Sequence, residues 1–104
     1  MRKLVFEKYT GNPVLTAEQF PSDIMYVMNP GAIKFNGEYL LLVDAATTST
    51  PIVFWIARSR DGIHFTADPE PIDWPPHRYH ETCVFDIRIT EIDGIYYLMY
   101  CSMT

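Results

Sequence analysis

Asp86 and Arg88 stand two residues apart in the run Val84-Phe85-Asp86-Ile87-Arg88-Ile89-Thr90, whose other members mostly favour strands. Side chains alternate across a strand, so Asp86 and Arg88 share one face while Phe85, Ile87 and Ile89 share the other. The apolar face belongs against a core. A carboxylate and a guanidinium on the opposite face have two uses. They form an exposed ion pair worth under about 1 kcal/mol, or they line a polar site where a ligand is held by charge and hydrogen bonds. Asn29, in Asn29-Pro30-Gly31-Ala32, has the same two readings: a turn residue opening a strand, or an amide in a site. His77-Arg78-Tyr79-His80-Glu81-Thr82-Cys83 matches no strong zinc spacing and reads as a polar loop, so no metal is expected. Ser59-Arg60-Asp61-Gly62 reads as a turn without chemistry.

The elements that must position these residues are strands. Thr16-Ala17-Glu18-Gln19-Phe20 is the one segment able to turn helically, and Pro21 stops it. Ala32–Phe35 and Glu38–Val43 flank Asn36-Gly37, the preferred two-residue type I′ hairpin turn. Ile52–Ala57 predicts a buried third strand and Ile63–Thr66 a short fourth. Pro69, Pro71, Pro75 and Pro76 mark an irregular connection. A second hairpin follows, Arg88–Ile92 and Ile95–Tyr100 around Asp93-Gly94. The two hairpins share a pattern, an apolar residue, Asn or Asp, Gly, one residue, then Tyr, and Gly94 follows Gly37 by 57 residues. Four short strands and then a restart predict propeller blades, each a four-stranded antiparallel sheet. The same offset carries Asn29 onto Asp86. First strands of propeller blades lie innermost, so an amide and an acid at those equivalent positions should converge near the axis as parts of a ligand site.

Composition narrows the partners. The chain has 104 residues, enough for one small domain, and 48% of them are hydrophobic, enough for a packed core. A net charge of −5 argues against a nucleic-acid backbone or an anionic membrane surface. No stretch approaches the roughly 20 apolar residues of a membrane span. The N-terminal run Met1-Arg2-Lys3-Leu4-Val5-Phe6-Glu7-Lys8 meets charge too early for a secretory leader, so a cytoplasmic location is expected. Cys83 and Cys101 have two readings, a disulfide or a pair of buried free thiols, and a cytoplasmic location favours the thiols.

Read in order, Asn12-Pro13-Val14-Leu15, Met28-Asn29-Pro30-Gly31-Ala32, Phe35-Asn36-Gly37-Glu38-Tyr39, Ala57-Arg58-Ser59-Arg60-Asp61-Gly62-Ile63-His64-Phe65, Asp86-Ile87-Arg88-Ile89-Thr90 and Asp93-Gly94-Ile95-Tyr96-Tyr97 resemble the N-terminal part of glycoside hydrolase family 130. These are five-bladed β-propeller enzymes, the β-mannoside phosphorylases and related glycosidases. The resemblance implies that Asp86 is the general acid, protonating the departing glycosidic oxygen by way of a sugar hydroxyl. Inorganic phosphate, a co-substrate rather than a resident cofactor, would then attack the anomeric carbon from the opposite face. Such an acid must keep its proton near neutral pH, which partial burial in an apolar strand favours. By the same resemblance Asn29 would hold sugar hydroxyls, and Arg88 would orient the acid or touch the ligand. Trp74, in the proline-rich connection, is the better candidate for stacking on a sugar, since Trp55 sits mid-strand and reads as core. The chain also departs from the family. Ile87 replaces the proline between acid and arginine, and Phe85 stands where an acidic residue often precedes the acid. Asp44 occupies the ligand-contact position where members carry an arginine at the end of the second strand.

The expected fold is all-β, with antiparallel four-stranded blades of a five-bladed propeller and fewer than two blades present. One β domain would span residues 1–104: a first blade over about 29–67, a connection over 68–83, and the start of a second blade over 84–104. An unpaired sheet edge after the second hairpin invites association into homo-oligomers. Two functions remain open at this point. One is a glycosidase-like propeller piece acting on β-mannoside oligosaccharides by phosphorolysis or hydrolysis. The other is a non-catalytic carbohydrate-binding or self-assembling β-module.

Overall fold

A computed structural model describes residues 2–3, 5–21, 23–48, 51–75 and 81–103. Strands β1 (Tyr26–Phe35), β2 (Glu38–Ala46), β3 (Val53–Ser59) and β4 (Thr66–Ala67) form one antiparallel sheet in the order β1-β2-β3-β4. Strands β5 (Cys83–Ile92) and β6 (Ile95–Met103) form a second, two-stranded antiparallel sheet. The first sheet is one complete blade and the second opens the next. A 3₁₀ turn, Ala17–Gln19, precedes β1, and Pro21 follows it as the sequence predicts. The Thr16 amide donates to Gln19 Oε1 at 2.8 Å, and Gln19 Nε2 donates to the Phe65 carbonyl at 3.1 Å, tying this turn to the sheet.

Both hairpins turn as predicted. Asn36 and Gly37 have φ of 49° and 78°, and Asp93 and Gly94 have 51° and 80°, the two positive values a type I′ turn requires. Strands extend further than the apolar runs suggested, because β1 begins at Tyr26 and β5 at Cys83, with both register ladders interrupted once by a bulge. The fourth strand is a correction. Ile63 and His64 lie outside β4, because the Asp61 carboxylate takes both their amide protons, at 2.9 and 2.8 Å. A backbone that donates to a neighbouring side chain cannot donate to a ladder.

β2 and β3 are buried on both faces. Leu40, Leu42 and Phe54 pack against Val84 and Ile87 of β5, so this core lies between the two sheets. The opposite face buries Val43, Ala45, Trp55 and Ala57 under Phe20, Ile24 and Phe65. Trp55 is core, as read, with its indole N–H donating to the Asp68 carbonyl at 2.7 Å. β6 is exposed along its whole length. Both cysteines are free, but Cys83 is half-buried and Cys101 exposed, which corrects the expectation of buried thiols. Cys101 sits on β6, which is exposed throughout. No helix among the described residues is long and apolar enough to cross a membrane.

Candidate functional site

The two first strands, β1 and β5, meet at their bulges. Between Met28 and Gly31, β1 advances three residues while β2 moves two, from Asp44 to Leu42. Between Phe85 and Arg88, β5 advances three while β6 moves two, from Cys101 to Met99. Each bulge holds one residue in the left-handed region: Asn29 at φ 49° and Asp86 at φ 58°. Asn and Asp tolerate that conformation better than other side-chain-bearing residues, which explains their presence at both places. A bulge re-aims its side chain out of the regular alternation. Here the result is a direct contact, Asn29 Nδ2 donating to Asp86 Oδ1 at 2.7 Å across 57 residues of chain. The approach depends on Gly31, since a Cβ there would lie 2.7 Å from the Ile87 carbonyl oxygen and 3.2 Å from the Arg88 Cα.

Two further residues complete the cluster. Arg88 is exposed and its Nη1 donates to the Asn29 carbonyl at 3.1 Å and the Ile87 carbonyl at 2.9 Å. Among the described residues it forms no ion pair with Asp86, so the simple surface pair is not what forms. It ties one bulge to the other. Asp44 lies beneath, only 1% exposed, and accepts the Asp86 amide on both carboxylate oxygens, at 3.1 and 2.9 Å. Burial pushes the Asp44 carboxyl above its ordinary value, and the charge and side-chain hydrogen bond of Asp86 push the same way. The Asp86 amide and the Arg88 charge pull it back down.

Asn29, Asp86, Arg88 and Asp44 are therefore brought together, whereas Trp74 is not. Trp74 packs edge-on against Phe54 and Tyr100, at 4.7 and 5.0 Å between ring centroids. It lines a cleft of about 250 Å³ with Phe54, Ile72, Cys83 and Val84, among others, and none of the bulge residues reaches that cleft. Sequence reasoning placed Asp44 against ligand and missed that it grips the backbone of Asp86. The signal was present: Leu40, Leu42 and Asp44 are alternate residues of β2, so an acid continues an apolar face and needs a buried donor. It also assigned no role to Ser59 and Asp61, which form a tight knot. Ser59 Oγ donates to Asp61 Oδ1 at 2.9 Å, and Asp61 Oδ2 lies 2.6 Å from His64 Nδ1. His77 to His80 of the polar loop lie outside the described residues. Among the described residues no three His, Cys, Asp or Glu side chains are grouped to hold a metal ion.

With this geometry in hand, comparison with known proteins is specific. The family model described as beta-1,4-mannooligosaccharide phosphorylase, glycoside hydrolase family 130, matches residues 4–104. The chain is similar to the 4-O-beta-D-mannosyl-D-glucose phosphorylase of Bacteroides fragilis, 35% identical over 77 residues, covering 72% of this chain and 20% of that protein. It is also similar to the beta-1,2-mannobiose phosphorylase of Listeria innocua, 37% identical over 49 residues, covering 47% of this chain and 14% of that protein. Among solved structures, a candidate glycoside hydrolase from Parabacteroides distasonis superposes with a TM-score of 0.76 at 26% identity, over 91% of this chain and 34% of that one. The Listeria innocua enzyme, solved with beta-1,2-mannobiose, superposes with a TM-score of 0.68. The identity over that longer alignment is 22%, across 86% of this chain and 42% of that one, and it bears on fold alone. The chain thus spans about a fifth or less of the length of the curated relatives it matches. It belongs to the beta-1,4-mannooligosaccharide phosphorylase family, glycoside hydrolase family 130.

Proposed function

We propose that these residues form part of the sugar site of a glycosidase-like propeller acting on β-mannosides, with Asp86 as general acid. The observation that carries the reading is the 2.7 Å hydrogen bond from Asn29 to Asp86, made by matching left-handed bulges on the first strands of adjacent blades. Asn29 donates to one carboxyl oxygen, Oδ1, and as general acid Asp86 would carry the transferable proton on the other. That proton passes, directly or through a sugar hydroxyl, to the glycosidic oxygen as its bond to the anomeric carbon breaks. Phosphate or water forms the new bond from the opposite face, with inversion. Water as nucleophile would require a second carboxylate as base, commonly about 6.5–9.5 Å from the acid. Phosphate would not require it, because it arrives already nucleophilic. Asn29 retains an amide oxygen to accept from a sugar hydroxyl, and Arg88 holds the Asn29 backbone in place.

The test is release of mannose 1-phosphate from β-mannosides in the presence of phosphate, with free mannose measured in its absence. Asp86→Asn is the matched variant: turnover should fall at least about a hundredfold while sugar binding survives. Turnover undiminished in that variant removes Asp86 from the chemistry. A second reading, a non-catalytic carbohydrate-binding or self-assembling module, is favoured by β6. That strand exposes the apolar side chains of Ile95, Leu98, Met99 and Met103. Sugar binding without turnover in the wild-type chain, or a mass by light scattering above 12.1 kDa, supports it.

A further inference from the structure

Asp44 is an unusual choice for its place. It follows Leu40 and Leu42 on the face of β2 that packs against β5, and it is 1% exposed, so no ligand can touch it. An acid buried in such a face is costly unless its oxygens are satisfied. Both of its oxygens accept the Asp86 amide, at 3.1 and 2.9 Å, and its side chain also hydrogen-bonds the Asp86 side chain. Asp86 in turn is held at φ 58°, a conformation with a cost for any residue bearing a Cβ. A charge-assisted hydrogen bond to its N–H is the means of offsetting that cost. We infer that Asp44 is a positioning residue for Asp86, its buried carboxylate clamping the Asp86 amide and so fixing the left-handed bulge that turns the Asp86 side chain towards Asn29. The clamp is a property of the fold. Its consequence for turnover rests on the general-acid reading of Asp86.

The clamp is strongest with Asp44 ionised, when both oxygens accept and the bond is charge-assisted. Protonation converts one of its oxygens into a hydroxyl and removes the charge that strengthens the bond. The groups that act on its charge are Asp86, whose carboxylate opposes ionisation, and Arg88, whose guanidinium favours it. The orientation of Asp86 is therefore tied to the protonation of a residue that never meets the sugar.

Amide hydrogen exchange of the full chain, read residue by residue by NMR without any sugar, tests the clamp directly. Asp44→Asn keeps the shape and one acceptor oxygen but removes the charge. Asp44→Leu continues the apolar face of Leu40 and Leu42 and removes the acceptor altogether, and such replacements of buried charges are commonly tolerated. Either variant should accelerate exchange of the Asp86 amide by about tenfold or more relative to the β2–β3 ladder amides. The wild type should gain this protection as pH rises through the ionisation of Asp44, and Asp44→Asn should not. Unchanged Asp86 exchange in both variants, or acceleration spread equally over the β2–β3 ladder, overturns the assignment. An intact clamp beside a failed turnover assay leaves it standing and removes only the catalytic reading.

Discussion

Gly31 lies at a close approach of β1 to β5, and its replacement by alanine isolates that contact. The new Cβ would sit 2.7 Å from the Ile87 carbonyl oxygen, 3.3 Å from its carbonyl carbon and 3.2 Å from the Arg88 Cα. All three are backbone atoms, so no side chain can swing aside. β5 must retreat by at least about 0.3 Å to reach the shortest approach that real Cβ atoms make. Overpacking of this kind costs about 1–3 kcal/mol. A Gly→Ala change returns about 0.4–1 kcal/mol through the unfolded chain, since Gly31 does not need a positive φ. The net loss should be about 1–2 kcal/mol, or roughly 5–15 °C in Tm for a domain of this size. Ile87 adjoins Asp86, so the same retreat lengthens the Asn29–Asp86 bond and moves the Asp86 amide resonance. Gly94→Ala is the contrast: its Cβ meets nothing within 4 Å, its φ of 80° makes it strained, and it lies at the hairpin tip. It should destabilise without moving Asp86. Urea and thermal unfolding, with amide spectra of both variants, make the comparison. Gly31→Ala with wild-type stability and an unmoved Asp86 amide would refute the close approach of β1 and β5.

Ile87 is completely buried between the sheets, so Ile87→Val should cost about 0.5–1.5 kcal/mol and Ile87→Ala about 2–5 kcal/mol in urea midpoints. Burial, reinforced by Asp86, holds the Asp44 carboxyl above 3.8, so as pH rises past that value the unfolded chain loses this proton before the folded one. Stability should then decline from 3.8 up to the native value, and Asp44→Asn should abolish that component. Asp61 behaves oppositely: the His64 ring and the His64 and Ile63 amides hold its carboxyl well below 3.8. Its contribution is present above that value and fades as pH falls below it, so Asp61→Asn should flatten the acid side of the stability curve.

The sequence carried the strands and turns well, because alternation and Asn-Gly or Asp-Gly pairs are local signals. The 57-residue offset carried more, since it sets Asn29 against Asp86, and the hydrogen bond between them has that separation. What failed was also local. Regular alternation placed Asp86 opposite Ile87 on a flat strand, whereas a bulge interrupts the ladder there. Nothing in the apolar pattern marks the inserted residue. Only the taste of Asn and Asp for positive φ could have done so. Ile63 and His64 looked like a strand because their side chains suit one, while the Asp61 carboxylate decides where their amides go. Trp74 sits among prolines, and its ring packs on Phe54 and Tyr100 while still lining the cleft beside Cys83 and Val84.

The repeat also shows which features belong to the common mould and which were added. Asn29 and Asp86 match in position and backbone conformation, as do Asn36 and Asp93, and Gly37 and Gly94. Asp44 pairs with Met28 just before the first bulge, and the residue in its place before the second bulge, paired with Phe85, is Cys101. A thiol is a weak acceptor and could not grip an amide as a carboxylate does. A buried acid at that register position is therefore not required by the hairpin or by the bulge. What distinguishes Asp44 is that the amide it faces belongs to the one bulge that presents an acid. The carboxylate beneath and the carboxyl above are parts of a single arrangement, and disturbing the hidden one should be felt first at the other.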